Sequence, residues 1–214
     1  MKLVIIKYNA GNIQSVLYAL ERIGREAEVT DDPAQIRAAD KVIFPGVGEA
    51  STAMHYLRER GLDELIRGLR QPVLGICLGM QLMCSYSEEN DTACLGIFEE
   101  RVRRFVPGAS AAGGASAVGG AAAAGGAVFK MPQIGWNNIY DLETPLFEGV
   151  EDRSYCYFVH GYYAALGART IAKTDYVQPY SSALHSGNFY GVQFHPEKSA
   201  QAGERILRNF IDRI

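Results

Sequence analysis

A cysteine between two glycines is the residue in this sequence that is best placed for nucleophilic chemistry. Residues 73–76 form an apolar run typical of a buried strand, and residues 78–83 continue as a helix. A side chain on such a tight strand-to-helix turn is exposed at the edge of the sheet, and the first N–H groups of the helix favour a thiolate. Because free cysteines are often inert core residues, the interpretation of Cys77 as a nucleophile also requires a base.

His195 and Glu197 supply the base and the group that orients it. Residues 189–194 are strand-like, and Pro196 prevents a helix from continuing through this point. Side chains two positions apart in an extended segment project to the same side, so the Glu197 carboxylate can orient the His195 imidazole and favour its charged form. We therefore predict that Cys77, His195 and Glu197 act as nucleophile, base and orienting acid.

The composition limits the kinds of protein and partner that are possible. The 214 residues fit one large α/β domain, and a hydrophobic content of 48% provides ample material for a core. A net charge of −3, without a long basic run, argues against a nucleic-acid partner. No apolar stretch has the length of a membrane span, and residues 1–7 are too short and too strand-like for a signal peptide. The four cysteines lack zinc-binding spacing, so we expect no metal site and reduced thiols in a cytoplasmic protein.

Alternating strands and helices predict a sheet that is parallel in its first half. Strands are predicted at 3–7, 26–30, 41–44 and 73–76, and helices at 13–24, 33–39, 49–60 and 63–70. Ligands of such sheets bind at the carboxyl ends of the strands, where Pro45-Gly46-Val47-Gly48 and Cys77 both fall. Further strands are predicted at 99–106, 136–140, 154–160, 170–174, 181–185 and 189–194, before a closing helix from residue 200. We expect these later strands to be largely antiparallel within one mixed sheet.

Residues 108–127 differ from the rest of the chain. Up to Gly126 they are almost wholly Ala, Gly and Ser, and such a stretch can neither bury a face nor hold a regular turn pattern. A phosphate-binding glycine loop is the alternative, but no Lys-Ser/Thr pair follows and no helix opens there. We predict a flexible insertion without chemistry of its own, within a single domain that spans residues 1–214.

Three segments together resemble the class I, or triad-type, glutamine amidotransferases. They are Pro45-Gly46-Val47-Gly48, residues 75–81 around Cys77, and residues 194–199 around His195. Three further segments are similar to the branch of glutaminase subunits of imidazole glycerol phosphate synthase, namely Tyr8-Asn9-Ala10-Gly11-Asn12, Gly135-Trp136-Asn137-Asn138 and Glu197-Lys198-Ser199. The resemblance covers nearly the whole chain apart from the insertion. It implies a flavodoxin-like three-layer α/β fold, with a central mixed, mostly parallel sheet and helices on both faces.

The resemblance implies an enzyme that hydrolyses L-glutamine to glutamate and ammonia without a cofactor. Cys77 would attack the side-chain amide to give a thioester, His195 would move the protons, and Glu197 would orient His195. Backbone N–H groups would stabilise the developing oxyanion. The candidates for that hole are Gly46, Val47, Gly48 and Leu78, although residues 45–48 could also form an ordinary strand-to-helix turn.

The resemblance also assigns a substrate pocket. Gln81, one helical turn after the nucleophile, would hold the amino-acid end of glutamine, although it could instead be an ordinary residue on the helix surface. The other predicted members of the pocket are His160, Gly161 and Tyr162. Many relatives carry a hydroxyl residue where this chain has Gly161, so one contact would fall to backbone or water.

The resemblance also implies a partner protein, because ammonia must be kept away from water, where it would be protonated. The family forms a heterodimer with a (β/α)8 cyclase that carries ammonia to its own site, and forms imidazole glycerol phosphate and AICAR in histidine biosynthesis. The predicted docking residues are Asn12, Trp136, Asn137 and Asn138. Aromatic anchors are enriched at interfaces, although a buried core position is the alternative for Trp136.

Three other functions stay open on the sequence. Glutaminase subunits of anthranilate synthase usually carry a second proline in the oxyanion segment, where this chain has Val47. A cysteine hydrolase or peptidase on the same sheet would require neither Gln81 nor a partner. A silent binding subunit would have no need for an intact set of Cys77, His195 and Glu197.

Overall fold

The computed structural model describes residues 1–8, 12–106 and 129–214. The predicted insertion at 108–127 lies outside the described residues, as does the 9–11 part of the first motif. The strands, in chain order, are β1 (Leu3–Ile6), β2 (Glu28–Thr30), β3 (Lys41–Gly46), β4 (Val73–Cys77), β5 (Tyr86–Ser87), β6 (Thr92–Ala93), β7 (Arg101–Arg104), β8 (Gln133–Asn138), β9 (Tyr155–His160), β10 (Tyr162–Ala164), β11 (Thr170–Tyr176), β12 (Gln178–Ser186) and β13 (Phe189–Val192). The α-helices are α1 (Ile13–Arg22), α2 (Pro33–Arg37), α3 (Ala50–Glu59), α4 (Leu62–Arg67), α5 (Leu78–Met83) and α6 (Ala200–Arg213). Within the described ranges, no helix has both the length and the apolar character needed to cross a membrane.

One mixed sheet of eleven strands forms the centre of the molecule. Its order is β2-β1-β3-β4-β13-β12-β10-β7-β5-β6, with β11 paired to β12. Neighbouring strands from β2 to β13 are parallel, and those from β13 to β7 are antiparallel. Strand β4 is buried along its whole length, as expected for a parallel strand that is covered on both faces. The predicted mixed sheet, parallel in its first half, is confirmed.

Helices cover both faces of this sheet and create two hydrophobic cores. On one face, α3, α4 and α5 pack against strand residues such as Phe44. On the other face, α1 and α6 pack against strand residues such as Ile43. Adjacent residues of β3 join different cores because successive side chains of a strand point to opposite faces. The predicted layer of helices on each side of the sheet is thereby confirmed.

Helix α1 is amphipathic and also supports the segment that carries Glu197. Its buried residues Val16, Ala19 and Leu20 recur at helical spacing and face the sheet. The opposite side of the helix contacts solvent, where Tyr18 is exposed. The helix also packs against the 3-10 helix Pro196–Lys198, which follows His195 in the chain. The start and the end of the sequence therefore meet at this point.

Strands β8 and β9 form a separate two-stranded antiparallel sheet, so the prediction that both belong to the large mixed sheet is wrong. On β8, Ile134 and Trp136 are 63% and 53% exposed, so these side chains join neither core. The prediction rested on apolar residues in an extended pattern. Such a pattern does not distinguish a face that packs in a core from a face that is left open.

Candidate active site

Cys77 ends β4 and immediately precedes α5. Its backbone φ of 54° and ψ of −109° lie outside the regions favoured by residues with a side chain. Strain of this kind clusters at functional sites, where the surrounding structure holds the backbone in place. The chain also changes faces of the sheet here, because Cys77 packs in the core beneath α1 and α6 while Leu78 packs in the opposite core.

The two glycines beside Cys77 let α5 approach the sheet closely. A Cβ atom at Gly79 would collide with the carbonyl oxygen of Phe44, and one at Gly75 would lie 2.9 Å from the backbone nitrogen of Met80. Close packing of helix on sheet therefore explains both glycines. The tightness of the turn, which the sequence predicts, is therefore not the only reason for these glycines.

His195 and Glu197 form a buried, hydrogen-bonded pair. His195 Nδ1 lies 2.7 Å from Glu197 Oε1, and the two side chains are 3% and 0% exposed. The close spacing arises because β13 ends just before His195 and the 3-10 helix Pro196–Lys198 begins just after it. Since Nδ1 faces the carboxylate, Nε2 is the ring nitrogen that remains for Cys77.

The charged form of His195 is favoured by its neighbours. Burial alone lowers the pKa of His195, but hydrogen bonds to Cys77 and Glu197, together with their negative charges, outweigh burial and raise the pKa above its ordinary value. The arrangement can therefore supply a proton donor next to a sulfur nucleophile.

A cavity of about 540 Å³ opens beside Cys77, a volume suited to a small ligand. It brings together most of the residues that the sequence analysis assigned to chemistry or substrate: Val47, Gly48, Cys77, Leu78, Gln81, His160, Gly161, Tyr162 and His195. Two of the assigned residues lie behind this surface, since Gly46 is next to Cys77 in the sheet and Glu197 is behind His195. The cavity is thus the candidate active site.

The segment at residues 45–48 lies beside Cys77, at the strand ends where it was expected. Gly46 of β3 is the direct partner of Cys77 in the parallel register. Gly48 has a φ of +108°, a conformation that residues with a side chain rarely adopt. Val47 and Gly48 line the same cavity as Cys77. The specific donors among Gly46, Val47, Gly48 and Leu78 stay a prediction.

Gln81 is buried, so the alternative of an ordinary helix-surface residue is wrong. Its Nε2 donates to the carbonyl oxygen of Tyr162 and to Gln193 Oε1, both at 2.8 Å. Gln193 Nε2 lies 3.7 Å from Cys77 Sγ. Because both amide hydrogens of Gln81 are used, its Oε1 is the atom left to accept a hydrogen bond from a ligand.

His160 forms a wall of the cavity and is neutral at pH 7. Burial lowers the pKa of His160 to about 4, despite a hydrogen bond to the Tyr162 carbonyl oxygen that opposes the shift. Its Nδ1 lies 2.7 Å from that oxygen, and its Nε2 lies 3.3 Å from the Tyr180 hydroxyl. The ring therefore holds the turn at Gly161 in place.

Of the four predicted docking residues, Trp136, Asn137 and Asn138 follow one another on β8, whereas Asn12 belongs to the segment before α1. Asn12 lines the active-site cavity, where its amide reaches His195 and Glu197. Trp136 is exposed on β8, so the alternative of a buried core position for it is wrong. Asn137 Nδ2 donates to the backbone of the neighbouring β11, and Asn137 Oδ1 accepts from the N–H of Asn138.

The residues of the site that the sequence does not reveal include Gln193 and Glu89. Gln193 contacts Cys77, and the same alternation that linked His195 to Glu197 would have placed it on their side. Glu89 lines the cavity and accepts a hydrogen bond from the Ala50 N–H at 2.8 Å. No motif surrounds Glu89 in the sequence. Only the packing of its loop against α3 brings it to the site.

The other cysteines are core residues. Burial raises the pKa of Cys94 to about 11 and that of Cys156 to about 12, and it raises the pKa of Cys84 as well. All three are buried thiols, whereas Cys77 lines the cavity. Within residues 1–8, 12–106 and 129–214, no three His, Cys, Asp or Glu side chains cluster in a way that could hold a metal ion.

Comparisons with known proteins agree over the whole chain. A family model described as glutamine amidotransferase class-I matches residues 4–214. A curated relative from Bacteroides fragilis, named imidazole glycerol phosphate synthase subunit HisH, is 53% identical over 212 residues, which cover 99% of this chain and 100% of the relative. A relative of the same name from Vibrio cholerae is 42% identical over 216 residues, which cover 98% of this chain and 97% of the relative. A crystal structure described as a glutamine amidotransferase has a TM-score of 0.68 at 20% identity, covers 98% of this chain and 97% of its own, and shows a similar fold.

Proposed function

The chain belongs to the class-I glutamine amidotransferases, in the branch of imidazole glycerol phosphate synthase subunits, and we propose that Cys77, His195 and Glu197 perform its glutaminase reaction. The protein is the glutaminase subunit of that synthase, in histidine biosynthesis. One observation carries the catalytic proposal: His195 bonds to Glu197 at 2.7 Å through Nδ1 and lines the same cavity as Cys77, which ends a strand in a strained conformation.

The first half of the reaction is attack of the Cys77 thiolate on the side-chain amide carbon of glutamine. The carbonyl oxygen becomes an oxyanion, and N–H groups of Leu78 and of residues 46–48 stabilise it. The His195 imidazolium then gives its Nε2 proton to the amide nitrogen. The carbon–nitrogen bond breaks, ammonia leaves, and the acyl group stays on the sulfur as a thioester.

The second half of the reaction is hydrolysis of the thioester. His195, now neutral, takes a proton from water, and the resulting hydroxide attacks the acyl carbon. The carbon–sulfur bond breaks to give glutamate, and Cys77 returns as a thiolate beside an imidazolium. Glu197 keeps Nδ1 protonated and oriented through both halves, so Nε2 always faces the reacting atoms.

Two side chains recognise the amino-acid end of glutamine in this proposal. Gln81 Oε1 accepts from the α-ammonium group, because both hydrogens of its own amide are used within the protein. The Glu89 carboxylate adds a negative charge that attracts the α-ammonium group. Burial raises the pKa of Glu89, while the hydrogen bond from Ala50 lowers it, so an ammonium ligand would favour the charged form of this half-buried acid.

A (β/α)8 cyclase is the proposed partner, and the open face of the β8–β9 sheet is the proposed docking surface. Ile134, Trp136 and Tyr155 are 63%, 53% and 61% exposed there. Large apolar side chains grouped on one small sheet are typical of an interface rather than of a solvated surface. The subunit name of the relatives favours this partner over anthranilate synthase.

The test is a glutaminase assay of the full chain with and without the cyclase subunit. We expect Cys77→Ser to lose all activity and Cys94→Ser, a change at a buried thiol away from the cavity, to keep it. We expect Glu89→Gln to raise KM for glutamine about tenfold, because it removes one charge-assisted contact. Retained turnover in Cys77→Ser, or a wild type that releases no ammonia from glutamine in the complex, would overturn the proposal.

A further inference from the structure

Asn12 uses its side chain in an unusual way for the residue that precedes a helix. An asparagine at this position normally caps the first turn by accepting a backbone hydrogen bond. Asn12 makes no such bond, and its φ of 75° is left-handed. Its amide Nδ2 instead donates to Glu197 Oε1 and lies 3.4 Å from His195 Nδ1. The side chain therefore contacts both partners of the nucleophile.

The Glu197 carboxylate is bound unevenly. Oε1 accepts from His195 and from Asn12, while Oε2 is buried and has no hydrogen-bond partner among the described residues. Helix α1 also binds the backbone of the same residue, because Arg22 Nη2 donates to the Glu197 carbonyl oxygen at 3.2 Å. The two ends of α1 thus bind the side chain and the main chain of Glu197.

We infer that Asn12 is a positioning residue for the glutaminase reaction, and that its amide fixes the Glu197 carboxylate so that Oε1 faces His195 Nδ1. The inference rests on the proposed function. A carboxylate with an unpaired buried oxygen gains by rotating that oxygen toward any donor, and such a rotation would break the bond to His195. The amide of Asn12 opposes it by binding the oxygen that must stay in place.

The same contact selects the tautomer of His195. The amide nitrogen of Asn12 can only donate, so its position 3.4 Å from Nδ1 is consistent with both groups pointing their hydrogens at the shared acceptor, Oε1. Nδ1 then carries a proton, and Nε2 is left to exchange protons with Cys77. This role differs from the docking role that the sequence predicted for Asn12, since the amide is already used inside the site.

The experiment compares wild type with Asn12→Gly, Asn12→Asp and a control, Gln14→Ala, in the full chain. Glycine keeps the left-handed backbone and removes the amide, while aspartate keeps the shape and turns the donor into an acceptor beside Glu197. Gln14 is an exposed neighbour on α1. The first readout is the rate of Cys77 alkylation by iodoacetamide against pH, located by peptide mass spectrometry. The second is kcat and KM for glutamine at saturating cyclase, with the Kd of the complex.

We expect Asn12→Gly to lower both the alkylation rate at pH 7 and kcat about tenfold, with KM and Kd near wild type. Asn12→Asp should lower the alkylation rate and kcat further, because it places a second carboxylate next to Glu197. This variant decides the question if Asn12→Gly fails to fold. Gln14→Ala should match wild type. Wild-type alkylation and kcat in both variants, or a loss that disappears once cyclase is saturating, would overturn the inference. A wild type without glutaminase activity would instead overturn the proposed function, and alkylation would still decide the role of Asn12.

Discussion

Gly46 and Cys77 lie directly opposite each other at the ends of the adjacent parallel strands β3 and β4. Neighbouring strands are about 4.8 Å apart, so the register of the sheet alone brings the proposed oxyanion segment to the proposed nucleophile. No loop has to fold over the site to achieve this. Because Gly46 is the direct neighbour of Cys77 in the sheet, a substitution at Gly46 can displace Cys77 directly.

We expect Gly46→Ala to destabilise the protein. The added Cβ would collide with the Tyr8 hydroxyl and lie 2.9 Å from the backbone nitrogen of Gly79. Overpacking of this kind lowers the free energy of unfolding by about 1–3 kcal/mol, which urea denaturation can measure. Gly161→Ala is the matched control, because among the described residues its Cβ would meet only Pro132, at an ordinary 3.8 Å. Equal stability of the two variants would contradict the prediction.

We expect Tyr8→Phe to stabilise the protein. The Tyr8 hydroxyl is buried and lacks a hydrogen-bond partner within the described part of the chain, while its ring packs on Phe44 at 5.2 Å. Removing the hydroxyl keeps the packing and removes a desolvation cost, so the free energy of unfolding should rise by about 1 kcal/mol. Tyr180→Phe loses a hydroxyl that donates to Gln133, so its free energy of unfolding should fall by a similar amount. A loss of stability in both variants would sink the idea.

We expect the cost of Glu197→Gln to depend on pH. The pKa of His195 is raised in the folded protein, although burial opposes the shift, and Glu197 is one of the groups that raise it. Stability from a raised histidine pKa is fully present below the unfolded value of about 6.5 and is lost as pH rises through the folded value. The difference in unfolding free energy between wild type and variant should therefore be larger at pH 6 than under alkaline conditions. A difference that is the same across this range would refute the assignment.

We expect Trp136→Ala to uncouple ammonia transfer without unfolding the protein. The side chain is 53% exposed, so its loss should change stability by no more than about 0.5 kcal/mol. Cyclisation that depends on glutamine should fall more than cyclisation fed with free ammonia. Leu166→Ala, a change at an apolar residue that is 46% exposed in the loop after β10, should leave both rates unchanged. Equal losses in the two assays would argue against a docking role for Trp136.

The geometry of the proposed catalytic residues could be predicted from the sequence because local rules fix it. A glycine-flanked cysteine after an apolar strand predicts a strained turn, and two-residue spacing predicts that His195 and Glu197 lie on one side. The structure has both features, with a positive φ at Cys77 and a 2.7 Å bond between the other two.

The remaining contacts of the site come from packing that no local pattern contains. Asn12 was predicted at a surface, yet its amide reaches a residue 185 positions away. Glu89 belongs to a loop without a motif, and only its bond to Ala50 at the start of α3 turns it toward the cavity. Contacts over such separations depend on how helices lie across the sheet, and hydrophobic periodicity gives a helix's inner face but not its neighbours.

The passage of the chain through the sheet between Cys77 and Leu78 ties the position of Cys77 to both hydrophobic cores. Cys77 packs in the layer beneath α1 and α6, and Leu78 packs in the layer beneath α3 and α4. A cavity or a clash introduced in either layer can displace the peptide bond between Cys77 and Leu78. The reactivity of the Cys77 thiol should therefore respond to packing changes in both cores, and substitutions chosen to stabilise either core should be checked by measuring that reactivity.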